Sequence, residues 1–144
     1  MKTISNLTLT LFKLLLISFI FAGSNWLMAQ GVKSGDLQDF KLVVENTKTG
    51  FNMQSIEGTA WKNLSFNLSN DQAQAIDEYG MTDLEQVNPK KDTNLADFLF
   101  TIIKTNKGVE LKGIEGTAWE TLSMTLSFDG EKFIVDQYGI KTIQ

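Results

Sequence analysis

At 144 residues the chain has the length of one domain, and its 17 Asp plus Glu against 13 Lys, with no Arg, leave a net charge of −4. An acidic surface without arginine excludes nucleic-acid recognition, which depends on basic patches and bidentate Arg contacts, and disfavours anionic lipid surfaces. With no His and no Cys, catalytic triads, Cys/His zinc sites, thiolate or imidazole haem ligation and a disulfide framework are all excluded, so the core alone must hold the fold.

Residues 1–29 have the pattern of a secretory signal peptide: Lys2 and Lys13 supply positive charge, residues 14–22 are apolar, and residues 24–29 form a polar-to-small exit. The apolar run is shorter than the roughly 20 residues a permanent membrane helix needs. Cleavage is expected near Ala29-Gln30, and no Cys follows for lipidation. The sequence thus predicts an exported chain, periplasmic or secreted, with no membrane span in the mature part. Its mature charge would be −6, from 11 Lys (13 minus Lys2 and Lys13) against 17 acidic residues. Residues 30–36 read as a flexible leader.

The remainder is organised around one hexad that occurs twice. Ile56-Glu57-Gly58-Thr59-Ala60-Trp61 returns letter for letter as Ile114-Glu115-Gly116-Thr117-Ala118-Trp119, an offset of 58 (114 minus 56). The surroundings recur too: Asp39 and Phe40 as Asp97 and Phe98, Leu64 and Ser65 as Leu122 and Ser123. After one inserted residue, Asp77, Tyr79 and Gly80 recur as Asp136, Tyr138 and Gly139. We read residues 37–81 and 95–144 as two β repeats joined by a connector, 82–94, that holds Pro89.

Alternation predicts the strands. Phe40, Leu42 and Val44 alternate with more polar neighbours, as Phe98, Phe100 and Ile102 do in the second repeat. The turns Asn46 to Gly50 and Lys104 to Gly108 have the length and terminal Gly of a longer hairpin loop, with return strands led by Phe51 and Val109. Ile56 and Ile114 break the alternation, and a β-bulge at each would account for it. Leu64, Phe66 and Leu68 alternate again. Residues 69–79 taken alone resemble a short capped helix, but Asp129-Gly130 between apolar runs in the second repeat is a tight-hairpin signature, so a strand is predicted in both. Val43, Leu99 and Ile103 fall on the face opposite the Phe40 row, where they suit a partner, a second protomer or a doubly covered strand.

The expected fold class is therefore all-β: two tandem four-stranded antiparallel meander repeats packed as one sandwich or barrel-like domain, about eight strands in all. A four-stranded unit cannot cover its own apolar face, which favours one shared core over two tandem modules.

Chemistry has few candidates. No Gly-rich phosphate loop occurs, and no cofactor or metal is implied. Glu57 with Trp61, and Glu115 with Trp119, could form ligand-binding corners in which the aromatic face stacks and the carboxylate accepts hydrogen bonds from a glycan or peptide. The plainer reading is architectural: Gly58 and Gly116 permit an unusual backbone angle, the threonine caps the corner and the tryptophan plugs the core. The Asp77-Tyr79-Gly80 and Asp136-Tyr138-Gly139 corners read as turns closed by the Asp side chain with Tyr packed behind, rather than as calcium sites, for which copy two lacks one carboxylate. Ser65, Ser69, Ser123 and Ser127 read as strand serines, not nucleophiles.

The functional expectation is a non-enzymatic, exported protein that acts by binding or assembly, with an unknown protein or glycan as partner. Two linked copies would present two similar surfaces and raise avidity. The alternatives are a small carboxylate-based glycan hydrolase, needing Glu57 or Glu115 about 5–9 Å from a second carboxylate in an apolar cleft, and a β-barrel carrier of a small apolar ligand.

Overall fold

The computed structural model describes residues 37–85 and 91–143. The signal peptide and leader expected over 1–36, and the part of the connector around Pro89, lie outside the described residues.

The described chain is all-β and forms two five-stranded antiparallel sheets packed on one core. The first half contributes β1 (Lys41–Thr47), β2 (Gly50–Glu57), β3 (Asn63–Asn67), β4 (Ala73–Asp77) and β5 (Gly80–Thr82). The second half runs through the same order as β6 (Leu99–Thr105), β7 (Gly108–Glu115), β8 (Thr121–Thr125), β9 (Lys132–Asp136) and β10 (Gly139–Thr142). Sheet A has the order β10-β9-β1-β2-β3 and sheet B the order β5-β4-β6-β7-β8. Each half therefore builds a three-stranded meander in one sheet and sends its last hairpin to the other.

That exchange corrects the four-stranded meander. The chain crosses between sheets at residues 68–72 and again at 126–131, so β3 does not pair with β4, nor β8 with β9. Gly130 does turn with positive φ, at +90°, yet Asp129-Gly130 closes no tight hairpin. Its backbone partners belong to the other half: Gly130 N–H donates to the Asn46 carbonyl at 2.6 Å, and Asn46 N–H donates to the Glu131 carbonyl at 2.9 Å. The physical reason is burial. A hairpin there would leave Phe133 and Val135 on the same sheet as Leu122 and Met124, whereas crossing sets the two apolar rows face to face. The tight two-residue turns are Glu78-Tyr79 and Gln137-Tyr138, between paired Asp77 and Gly80, and Asp136 and Gly139. Lys48-Thr49 and Asn106-Lys107, between paired Thr47 and Gly50, and Thr105 and Gly108, are tight turns too, where the sequence predicts longer loops.

The barrel alternative is also corrected. Among the described residues each sheet ends in edge strands paired on one side, β3 and β10 in sheet A and β5 and β8 in sheet B, so the sheets do not close on each other. An apolar-ligand carrier built on a barrel lumen falls with it.

Other expectations are met. The inward rows Phe40, Leu42, Val44 and Phe98, Phe100, Ile102 are all buried in one cluster with Phe133 and Val135. Phe40 and Phe98, which occupy matching positions in the two halves, stack on each other with ring centroids 4.2 Å apart. The bulges fall where the alternation breaks. Lys41 opposes Glu57 while Leu42 opposes Ser55, which leaves Ile56 as the extra residue. Leu99 opposes Glu115 while Phe100 opposes Gly113, which leaves Ile114. Both isoleucines are consequently turned out, 55% and 46% exposed. On the opposite face of β6, Leu99 is buried and Ile103 half-buried, so the central strand of sheet B is covered on both sides.

Candidate functional site

The two recurring corners of each half meet. The hexad links β2 to β3 in the first half and β7 to β8 in the second, at the bulged ends of those pairs. Gly58 and Gly116 carry the chain through at φ +89° and +66°, where a side chain is strained. They also lie against the start of their own sheet: a Cβ on Gly58 would stand 2.7 Å from the Asp39 carbonyl oxygen, and one on Gly116 would stand 2.0 Å from that of Asp97. Glycine is required at both places by conformation and by space.

From there the corner reaches across to the other sheet. Ala60 N–H donates to the Glu78 carbonyl and Ala118 N–H to the Gln137 carbonyl, both at 2.8 Å. The Trp61 indole Nε1 donates to the Asp77 carbonyl at 3.1 Å, and the Trp119 Nε1 to the Asp136 carbonyl at 3.0 Å. Thr59 and Thr117 hydroxyls close the bend on the Trp61 and Trp119 carbonyls at 2.7 and 2.8 Å. Each tryptophan therefore fastens its meander to the hairpin that has crossed to the opposite sheet. Trp119 sits deeper than Trp61 (8% exposed against half-buried) because Gly113 stands where the first half has Ser55. A Cβ on Gly113 would meet the Thr117 hydroxyl and the Trp119 carbonyl at 2.2 Å each.

The hairpin turns are closed by carboxylates, as the sequence predicts. Asp77 Oδ1 accepts the Tyr79 and Gly80 backbone N–H groups at 2.8 and 2.9 Å, and Asp136 Oδ1 accepts those of Tyr138 and Gly139 at 2.9 and 3.0 Å. Although burial alone would raise the Asp136 carboxyl, Lys141 and these two N–H groups together hold it below the usual carboxylate range. The tyrosines are not packed behind the turns. Tyr79 and Tyr138, the second central residue of each turn, are 39% and 57% exposed, whereas the first, Glu78 and Gln137, is turned inward and buried.

The glutamates are not drawn into a cleft. Glu57 pairs with Lys41 at 3.4 Å across the bulge. In the second half the residue matching Lys41 is Leu99, and Glu115 turns instead to Lys91, at 2.9 Å. Lys91 also contacts Asp97 and is held protonated well above the ordinary lysine range, chiefly by its hydrogen bonds to Asp97 and Glu115. Glu115 and Asp97 thus share one cation, the nearest approach to a carboxylate pair at the hexads. It is an ion-pair cluster in solvent, with Lys91 and Glu115 side chains 60% and 46% exposed, and not the apolar cleft that acid/base hydrolysis uses. Among the described residues no cluster of three or more acidic side chains is placed to hold a metal ion.

Two features escape a reading by sequence alone. The first is Glu78, 7% exposed. In the other half the matching Gln137 accepts the Phe40 N–H at 3.3 Å and donates to Asp39 Oδ1 at 2.6 Å. Glu78 has no amide to donate, and its carboxyl is pushed up by burial and by the charges of Asp77 and Asp97, against the hydrogen bonds of its own N–H and that of Phe98. The second is a shallow groove of about 420 Å³ on the outer face of sheet A, lined by Glu45, Asn52, Gln54, Asn63, Ser65 and Lys132 among others. Ser65 donates to Asn52 Oδ1 at 2.7 Å, and Lys132 pairs with Glu45 at 3.6 Å. These side chains come from four strands, one of them in the second half, so their grouping is set by the exchange and not by any local spacing.

Compared with known proteins, the chain matches no family model, no curated protein and no solved structure.

Proposed function

We propose that this is an exported, non-enzymatic β-sandwich protein, periplasmic or secreted, that acts by binding or assembly, and that its two halves are copies of one unit whose C-terminal hairpins have changed places. One observation supports this most: the residues common to both halves dock on each other. Ala60 and Trp61 hydrogen-bond to Glu78 and Asp77, and Ala118 and Trp119 to Gln137 and Asp136. What the sequence holds in duplicate thereby serves as a frame that locks the two sheets together. Recognition then falls to the outer faces and edges. The groove on sheet A, rich in amides and hydroxyls, offers paired donors and acceptors that suit the hydroxyls of a glycan or the polar backbone of a protein.

Two measurements test the reading together. The protein is expected to sediment with native cell envelopes, less so as the Asn52→Ala, Gln54→Ala double variant, and to release no reducing ends from soluble envelope glycans. Absence of retention would end the binding reading. Reducing ends released by the parent and abolished in Glu115→Gln would replace it with carboxylate-based hydrolysis.

A further inference from the structure

We propose that the outer edge of β3 is a self-association edge, on which a second copy of this chain pairs antiparallel about a two-fold axis at Ser65 and joins two five-stranded sheets into one of ten strands. This deepens the assembly reading above and rests on it.

The backbone supplies the first part of the argument. Among the described residues β3 pairs with β2 on one side only and forms the end of sheet A. Ser55 N–H donates to the Lys62 carbonyl and Leu68 N–H to the Thr49 carbonyl, at 2.9 and 2.8 Å. Because antiparallel strands alternate the direction of their polar groups, the even-numbered residues of β3 serve β2. Asn63, Ser65 and Asn67 then direct their N–H and C=O groups outward. A copy rotated about Ser65 brings Ser65 opposite Ser65, and Asn63 opposite Asn67 of the second copy, so the outward groups of all three residues find partners.

The side chains are self-complementary about the same point. β3 reads Asn63-Leu64-Ser65-Phe66-Asn67, polar and apolar in mirror order. Antiparallel pairing about Ser65 sets Leu64 against Phe66 of the second copy, and Asn63 against Asn67, pairs of the kind that stabilise sheets. Leu64 and Phe66 are only half-buried here, at the open side of the core, and a neighbouring strand would cover them further.

Charge selects this edge over its counterpart. Residues 63–70 carry no charge and are flanked by opposite signs, Lys62 before and Asp71 after, so antiparallel pairing brings Lys62 of one copy toward Asp71 of the other. No proline, bulge or lysine within β3 guards the edge in the manner of strands that stay unpaired. The matching edge β8, Thr121-Leu122-Ser123-Met124-Thr125, has the same mirror order and an equally uncharged stretch, 121–128, but its flanks, Glu120 and Asp129, are both acidic. Self-pairing of β8 would bring acidic groups of both copies together.

Light scattering on the full chain, produced in an exporting host and with its chain mass read by mass spectrometry, is expected to give twice that mass. Ser65→Pro removes an outward N–H that the folded monomer does not use, and its mass is expected to halve with far-ultraviolet dichroism unchanged. Ser65→Lys places two like charges at the axis and is the second route to the same result if the proline variant does not fold. Ser123→Pro is expected to remain a dimer. A monomeric parent throughout a dilution series, a dimer that persists in Ser65→Lys, or one lost in Ser123→Pro overturns the proposal. So does a dimer that removal of residues 30–36 abolishes, which would assign the edge to that segment. A monomer that still sediments with envelopes ends the self-association edge and leaves the wider binding reading standing.

Discussion

Replacing Glu78 by glutamine should stabilise the protein, and by an amount that depends on pH. The second half shows what the substitution would build, since Gln137 both accepts the Phe40 N–H and donates to Asp39. Glu78 instead places a carboxyl group, which cannot donate once ionised, in a buried site near Asp77 and Asp97, and burial is the main reason it is pushed up. A group whose folded pKa is raised holds its proton more tightly in the native state. Its contribution is most favourable below the ordinary carboxylate range and is lost as pH rises through the folded pKa. Glu78→Gln removes that loss and adds one donor for Asp97, so a gain of about 1.5–3 kcal/mol at pH 7 is expected, the size of one net hydrogen bond to a charged group. Urea unfolding of parent and variant from pH 4 to 8 measures it. The difference should be small at the acid end, where the protonated Glu78 can itself donate, and should grow to a plateau. A variant no more stable at pH 7, or an advantage independent of pH, would refute the argument.

Four further outcomes follow from the frame. Trp119→Ala should cost about 3–5 kcal/mol in denaturant unfolding, since the indole is buried, lies 5.9 Å from the Phe100 ring and bonds to Asp136. Trp61→Ala should cost less, because Trp61 is half-buried; equal costs, or normal melting with loss of binding, would contradict the architectural role. Gly116→Ala should destabilise by about 1–3 kcal/mol through its positive φ alone, with the Asp97 carbonyl contact adding to it, and thermal unfolding reads the sum. The isolated second half, residues 94–144, should be unfolded or dimeric by light scattering, because in the whole chain β9 pairs with β1 and never with β8. A stable monomer would mean that the halves fold as separate modules.

Local features were legible in the sequence because local chemistry fixes them. The strand phases, the bulges at Ile56 and Ile114 and the Asp-closed turns at Asp77 and Asp136 follow from alternation, its interruption, and an Asp two residues ahead of the amide it accepts. The preference for a shared core was sound for the reason given, that one unit cannot cover its own apolar face. Topology was not legible. Residues 69–72 and 126–131 carry turn-forming types that serve a hairpin and a crossing equally well, and the choice is made by long-range contacts such as Asp71 N–H to the Lys104 carbonyl at 3.0 Å. Nor could spacing show that the hexad and the Asp-x-Tyr-Gly corner, 16 residues apart from Trp61 to Asp77, bond to each other.

The same comparison narrows what the surface can do. Two linked copies would act by avidity only if their outward residues matched, and they do not. Sheet A presents Asn52 and Gln54 on β2 and Asn63 and Asn67 on β3, where sheet B presents Glu110 and Lys112 on β7 and Thr121 and Thr125 on β8. On these two pairs of strands one sheet carries neutral amides and the other opposed charges and hydroxyls. The inward rows, the bulges and the corners agree between the halves, whereas the outward rows differ. Substitutions that leave the frame intact while changing only the outer faces alter partners without altering the fold. Recognition on sheet A should therefore be lost through Asn52 and Gln54 with the melting temperature unchanged, and the corresponding changes at Glu110 and Lys112 should leave that recognition intact.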